Sequence, residues 1–192
     1  MQNPYHRAEA RPHFLDRAVA RTMCFDIFNI FAASYQLGGE FELADPEEGD
    51  ARSSSKFRLH HELAEPRLSQ LLLQLAVFVR TFDDVFSTGN WAESYAAHAA
   101  AAQGENFIGV LSGADLGLRE ACNKIIHASD FRPVYDRAER EERPGDMQQA
   151  WFLTGEIELS GTLNGRVWEA TLYTQNFLEI VLDRISFDPE AL

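Results

Sequence analysis

The sequence predicts a mainly helical α+β domain, a helical bundle of four to six helices with an antiparallel β-hairpin appended before the C-terminal helix. Two observations support this prediction. Apolar residues recur at helical spacing through most of the chain up to His127, and after it the pattern changes to two-residue alternation. An Asn164-Gly165 pair then separates two alternating segments, which is typical of a tight hairpin turn.

The first helix is predicted from Phe14 to the Gly38-Gly39 pair. Phe25 and Phe28 extend its apolar surface around much of the helix, as expected if several neighbours or a second subunit enclose it. Residues 40–56 are acidic and then Ser-rich, so we interpret them as an exposed loop. This loop is either a solvated connector or a segment that contacts a partner.

Four further helical segments are predicted before the alternating region. The chain resumes helical spacing at about Phe57–Leu63, and Pro66 is expected to begin a separate helix that ends near Phe86. The Ala-rich segment Trp91–Ala102 has high helix propensity. The segment Ala114–Ala128 combines an apolar stripe with polar residues and is expected to form the most functionally informative helix.

The alternating region predicts the β-hairpin, which covers residues 151–175 within the domain. Gly161 is expected to mark a bulge in it. A short strand, a charged loop and a closing helix are expected around it. In order, these elements are the strand Phe131–Tyr135, the loop Asp136–Gly145, the hairpin strands Phe152–Ser160 and Arg166–Thr174, and the helix Gln175–Ser186.

Length and charge limit the function classes. The chain has 192 residues, which fits a single domain over residues 1–192. Its formal net charge of −13 excludes a broad, sequence-independent grip on nucleic acid, because the average surface repels phosphate. Residues 40–50 carry six carboxylates and no base, whereas residues 119–143 balance six bases against six acids. The second region is therefore the better candidate for contact with an anion.

Three polar residues, Arg119, Asn123 and His127, recur every four positions on the Ala114–Ala128 helix. Because a helix advances about 100° per residue, they follow one rim of the helix, outside the buried stripe. An imidazole exchanges a proton near neutral pH, and a guanidinium holds phosphate by two hydrogen bonds. This pattern favours cleavage of a phosphodiester by an RNA 2′-hydroxyl, with His127 as base or acid, Arg119 on the developing charge and Asn123 as a positioning group. The alternative is that Asn123 and His127 satisfy backbone groups near a helix end.

Arg80, Asp83 and Asp84 lie close together near the end of the preceding long helix. One interpretation is an ion pair within that helix between Arg80 and either carboxylate. The other is that a carboxylate reaches across the bundle and holds the ring of His127 in one tautomer.

Cys24 and Cys122 lie in apolar helical patterns, which predicts buried thiols in the cytoplasm rather than a disulfide. Cys122 and His127 point about 140° apart on a helix, so they do not form a nucleophile–base pair within one chain. The neighbours His60 and His61 diverge by about 100° and cannot chelate one ion together. We therefore expect no metal site and no cofactor, and the absence of a long apolar stretch predicts no membrane partner.

The segment Cys122-Asn123-Lys124-Ile125-Ile126-His127 resembles the signature of the HEPN family, helical-bundle domains of prokaryotic defence and toxin systems. In that signature a late helix carries Arg, often followed by Asn, with His four to six residues after the Arg. Asn123 and His127 match it, but Cys122 occupies the position of the Arg. Either Arg119 substitutes from one turn upstream, or the site is degenerate and binds without cutting.

The resemblance implies a homodimer in which two such helices form one composite cleft. It further implies an RNA-binding protein or a metal-independent endoribonuclease of a defence or toxin–antitoxin type, with the β-hairpin as an insertion before the last helix. The alternative is a non-enzymatic protein-interaction module, whose acidic surface, 40–56 loop and hairpin edge recognise a protein partner. The charge of −13 favours the alternative, because a ribonuclease more commonly has a basic field around its cleft.

Overall fold

The computed structural model describes residues 15–44, 51–104, 107–143 and 145–189. Within these ranges the chain combines helices with one antiparallel sheet in the strand order β2-β1-β5-β4-β3, so the mixed α+β class is confirmed. The helices are α1 (Arg17–Leu43), α2 (Ser55–Phe86), α3 (Ala92–Gln103), α4 (Leu118–His127) and α5 (Thr174–Ile185). The strands are β1 (Gly109–Leu111), β2 (Ala114–Asp115), β3 (Asp130–Arg143), β4 (Asp146–Leu163) and β5 (Arg166–Tyr173).

The sheet is a layer of the core and not an appended hairpin, which corrects the predicted bundle. β5 pairs with β1 as well as with β4. One face of the sheet is apolar and buried, while residues that point the other way, such as Glu158 and Glu169, are exposed. The strands β1 and β2 have only three and two residues, too few to produce a periodic pattern in the sequence.

The charged segment Asp136–Gly145, predicted as a loop, mostly belongs to β3. Among the described residues, β3 lies at the edge of the sheet and pairs with β4 alone. Charged side chains are common on edge strands, because they prevent pairing with other chains. Ala138 is nevertheless fully buried against Phe41 and Ala150. A single small inward residue between charges gives too weak a signal for a strand.

The first two helices continue through residues that were expected to end or split them. α1 passes through Gly38, where an added Cβ would lie 3.0 Å from Cδ1 of Phe152. This glycine therefore allows β4 to approach α1 closely. α2 passes through Pro66, and both Pro66 and Glu62 are exposed, so the backbone bond that proline removes is lost on the solvent side.

The bounds of α1 and α2 also shorten the predicted 40–56 loop. Residues 40–43 are the last turn of α1, and residues 55–56 are the first of α2. Ser54 caps α2 by accepting a hydrogen bond from the Phe57 amide at 3.3 Å. The centre of the acidic segment, residues 45–50, lies outside the described residues.

Several predictions for the second half of the chain are confirmed, among them α5 and the turn at Asn164-Gly165. These two residues have φ of 52° and 76°, as a tight hairpin turn requires. The predicted bulge at Gly161 is wrong, since this residue pairs in regular register with Trp168. The register between β3 and β4 shifts at two places instead. From Pro133 to Tyr135, two steps along β3 correspond to four along β4, from Ile157 to Leu153, so the extra residues lie in β4. The second shift lies between Glu141 and Arg143, where the extra residue is in β3.

α4 lies between α2 and the sheet. α1 packs on β3 and β4, and α4 and α5 pack on β4. α2 packs on α1 and α4, while α3 packs on α5. The main core accordingly draws its buried residues from α1, α2, α4, α5, β4 and β5. The outer rim of α4 remains available to solvent.

Candidate functional site

The predicted polar trio lies on α4, as expected. Four buried residues, Leu118, Ala121, Cys122 and Ile125, form the inward face of this helix. Arg119 and His127 are exposed and Asn123 is partly buried, so the three form a rim that borders the solvent. We call these three residues the α4 rim. Gln103, at the end of α3, accepts a hydrogen bond from the first amide of α4 at 3.3 Å and helps to position the helix.

Arg119 and His127 occupy opposite ends of the α4 rim. Eight residues separate them, which corresponds to a rise of about 12 Å along the helix. Arg119 donates to Oδ1 of Asp84 on α2, at 2.9 Å. This ion pair holds the guanidinium toward α2, so Arg119 and His127 do not converge on one point within a single chain.

Arg119 and Asp84 belong to a small charged cluster that also includes Arg80. Nη2 of Arg80 lies 3.8 Å from Oδ2 of Asp84, which matches the predicted ion pair within the helix. Nη1 of Arg80 is buried and has no hydrogen-bond partner among the described residues. Two guanidinium groups thus share one carboxylate. The cluster carries a local positive charge within an acidic protein, and the exposed guanidinium of Arg119 has donors left for an anion.

Asp83 has a different environment from its neighbour Asp84. It is 3% exposed and accepts a hydrogen bond from the hydroxyl of Tyr95. Nη1 of Arg184 donates to the same carboxylate at 3.0 Å, and Nη2 of Arg184 donates to the Ala99 carbonyl at 3.3 Å. This buried network joins α2, α3 and α5. Its role is to hold these helices together around α4.

Sequence reasoning missed Tyr95 and Arg184 as members of this network. A signal for Arg184 exists, because it follows Phe177 and Val181 on the buried face of α5. A charged residue at such a position needs a buried partner of opposite charge. Tyr95 is one of the few large side chains in the Ala-rich α3, but nothing in its local sequence indicates a polar contact.

His127 lies at the end of α4, and its ring is not held by a carboxylate within the described residues. Asp83 bonds to Tyr95 and Arg184, while Asp84 bonds to the arginines. The proposed support of the imidazole by Asp83 or Asp84 is therefore not formed in a single chain. The ring is nevertheless exposed and can contact a ligand.

Cys122 is fully buried beneath the α4 rim. Burial, assisted by the nearby Asp83 carboxylate, raises the pKa of the Cys122 thiol to about 12. The thiol is thus protonated at neutral pH, which argues against a nucleophilic role. Both cysteines are free and buried, as predicted.

Cys122 should make the protein less stable in alkali. The pKa of this thiol in the folded state lies above the ordinary thiol value of about 8.5. The contribution of the protonated thiol to the free energy of unfolding is therefore complete below about pH 8.5 and is lost as the pH rises toward about 12. Between pH 9 and 11 this group should lower the free energy of unfolding by about 1.4 kcal/mol per pH unit. Urea titrations of wild type and Cys122→Ala at several pH values in this range give the free energy of unfolding against pH, and its slope should be smaller in the variant. Equal slopes would contradict the assignment.

Other polar clusters in the chain do not form an evident site. Nε2 of His60 lies 3.0 Å from the Ile30 carbonyl, and the ring of His61 lies between Phe57 and Tyr135. In the part of the chain that the structure describes, no three His, Cys, Asp or Glu residues are arranged to hold a metal ion. In the same part, no helix is long and apolar enough to cross a membrane.

Comparison with known proteins adds no assignment to this geometry. No family, curated protein or solved structure in these comparisons matches the chain.

Proposed function

We propose that this chain is a HEPN-like RNA-binding protein whose phosphate contacts lie on the α4 rim. The observation that carries the proposal is the charged cluster at one end of that rim, where Arg80 and Arg119 share the single carboxylate of Asp84. A hydrogen bond from a guanidinium to a phosphate oxygen is stronger than a hydrogen bond between two neutral groups. His127, exposed at the other end, supplies a second contact about 12 Å away along the same helix.

In this proposal a single chain binds RNA without cutting it. Cleavage by the 2′-hydroxyl requires a proton-transfer group and a cation at the same phosphate. Arg119 is engaged with Asp84, and Cys122 occupies the position at which the HEPN signature has Arg. Metal-independent ribonuclease activity belongs to the dimer, in which a second chain brings its own α4 rim to complete the cleft.

The net charge of −13 sets the expected strength and range of binding. A mostly acidic surface repels nucleic acid at a distance, so few phosphates are contacted and the affinity depends on a small number of cations. Binding should therefore respond sharply to the loss of one guanidinium of the cluster.

Replacing Arg119 by Ala should weaken binding of a labelled, structured RNA by roughly tenfold, the loss of one charge-assisted phosphate contact. The slope of log affinity against log salt should also fall by about one. Fluorescence anisotropy at several salt concentrations measures both quantities. Arg58→Ala is the matched control, because Arg58 is exposed near the start of α2, about 39 Å along that helix from Asp84. Equal weakening in both variants would assign the binding to diffuse charge and remove the site.

The same samples test the catalytic alternative. RNA decay should be followed for wild type, Arg119→Ala and His127→Ala at protein concentrations that populate dimers. Decay that stops in both variants supports a ribonuclease with these two residues in its cleft. Equal decay in all three samples removes the catalytic role of the α4 rim and leaves the binding role to the anisotropy result.

The second candidate function is a non-enzymatic protein-interaction module. It is favoured by the net charge of −13, because a protein that binds nucleic acid more commonly has a basic surface. A pulldown with wild type and with a variant lacking residues 45–50 addresses it. Recovery of a partner that the shortened variant loses supports this candidate, and recovery of none argues against it.

A further inference from the structure

One side of α1 presents large aromatic side chains to solvent. Phe25, Phe28 and Tyr35 are 64%, 55% and 72% exposed. With an advance of about 100° per residue they fall within an arc of about 80°, and they extend over about 15 Å of the helix. We call these three residues the aromatic face. Its position differs from the buried side of α1, which includes Ile27 and Phe31.

The aromatic face continues onto α5. A cavity of about 480 Å³ lies between α5 and the part of α1 that carries Phe25 and Phe28. A second cavity, of about 220 Å³, lies beside Phe28 and Tyr35. Phe28, Gln175 and Leu178 border both cavities, so the two form one continuous surface. Phe28 thus lies between two hollows that can receive side chains from another surface.

The exposed aromatic area is a substantial part of what an interface needs. With about 200 Å² per aromatic side chain, the three residues alone expose roughly 400 Å². The largest apolar patch of a typical monomer is roughly 300–600 Å² in total, and a standard interface buries about 800 Å² per partner. Three residues therefore supply about half of what a stable interface needs, before the rest of the surface is included.

The charges at the rim of the larger cavity indicate the occupant. Arg21 on α1 and Glu179 on α5 both line it, and neither has an ion pair within the described residues. The surface is therefore locally neutral in a chain with a net charge of −13, so two copies can meet here with the least repulsion. In a two-fold interface the same patch meets itself, and a residue of one chain faces a different residue of the other.

We propose that a second copy of this chain covers the aromatic face, with Arg21 of each protomer paired with the partner's Glu179 across a two-fold axis. The aromatic side chains of each copy enter the cavities of the other, and the two ion pairs set the register. This interface is distinct from one that would join two α4 rims, because no residue of α4 lines either cavity. The inference therefore does not depend on RNA binding.

The first experiment measures the oligomeric state of the full chain without RNA by sedimentation velocity. Wild type should be dimeric at micromolar concentration, and Phe28→Asp should raise the dimer dissociation constant by roughly 100-fold or more. Leu59→Asp is the control, because Leu59 is 58% exposed but borders a different groove, between α1 and α2. A dissociation constant of about 100 µM corresponds to a binding free energy of about −5.5 kcal/mol. A wild type that stays monomeric at this concentration overturns the proposal, as does an equal loss of self-association in the control.

The second experiment tests the pairing itself with surface charges only, so it does not risk the fold. Arg21→Glu and Glu179→Arg should each weaken self-association about tenfold, because each places like charges opposite one another in both ion pairs. An equimolar mixture of the two variants should recover the wild-type affinity, since each mixed dimer restores both pairs between chains. A mixture that associates no better than either variant overturns the proposed register, because pairing within one chain cannot be repaired by mixing.

Discussion

Replacing Asp83 by Ala should lower the free energy of unfolding by about 3–5 kcal/mol. Asp83 is 3% exposed, and its carboxylate is the acidic partner of Arg184, which is itself only 9% exposed. Removal of the carboxylate leaves a buried cation without compensation, and Nε of Arg184 already lacks a partner among the described residues. Urea denaturation at neutral pH, followed by circular dichroism, measures the loss.

The neighbouring carboxylate provides the control for this prediction. Asp84 and its nearer partner Arg119 are exposed, whereas Arg80, at 3.8 Å, is mostly covered. Asp84→Ala should therefore cost about 1–2 kcal/mol, clearly less than Asp83→Ala. Replacing both members of the buried pair, with Asp83→Leu and Arg184→Met, should recover most of the stability that Asp83→Ala loses. Equal losses for Asp83→Ala and Asp84→Ala would show that the buried network does not hold the helices.

The difference between these two adjacent carboxylates explains what sequence reasoning could not resolve. On the sequence, Asp83 and Asp84 were equivalent partners for Arg80, because helical spacing permits either pair. The choice depends on Tyr95 and on Arg184, which is 101 residues away in the chain. Such a long-range contact has no local periodicity, so the burial of Asp83 could be found only from the folded chain.

The α4 rim was predictable because it depends on one helix alone. Arg119, Asn123 and His127 lie where a period of 3.6 residues places them, and the buried stripe from Leu118 to Ile125 is where the apolar pattern predicts it. The engagement of Arg119 with Asp84 was not predictable in the same way. It requires α2 to lie beside α4, which the sequence does not specify.

The sheet was underestimated for a related reason. The hairpin of β4 and β5 has apolar alternation and a recognisable turn, so its existence was clear. β3 instead carries its charges at the sheet edge, and β1 and β2 are too short to show a period. Pairing with β5 determines the shape of β1, since a Cβ at Gly109 would lie 2.1 Å from the Thr171 carbonyl oxygen.

Gly161 is the residue at which the sheet and the candidate site meet. Replacing it by Ala would place a Cβ 2.4 Å from Cζ2 of Trp168 and 2.9 Å from the backbone oxygen of His127. The ring of Trp168 is buried and has Lys124 of α4 4.5 Å from its centre, so it has little freedom to move away. Gly161→Ala should therefore displace the end of α4 and lower the free energy of unfolding by about 2–4 kcal/mol.

Gly117→Ala is the matched control for this substitution. Gly117 precedes the same helix α4, its φ of −78° suits any residue, and an added Cβ there meets no atom within 4 Å. Urea denaturation should show a loss of about 1 kcal/mol or less for Gly117→Ala, which changes only the N-cap of α4, and the larger loss for Gly161→Ala. Because His127 ends α4, RNA affinity at a temperature where both variants are folded should fall only in Gly161→Ala. Full stability and unchanged RNA affinity in Gly161→Ala would mean that Trp168 and α4 can move to accommodate the added methyl group. Close packing against β4 would then not position the α4 rim.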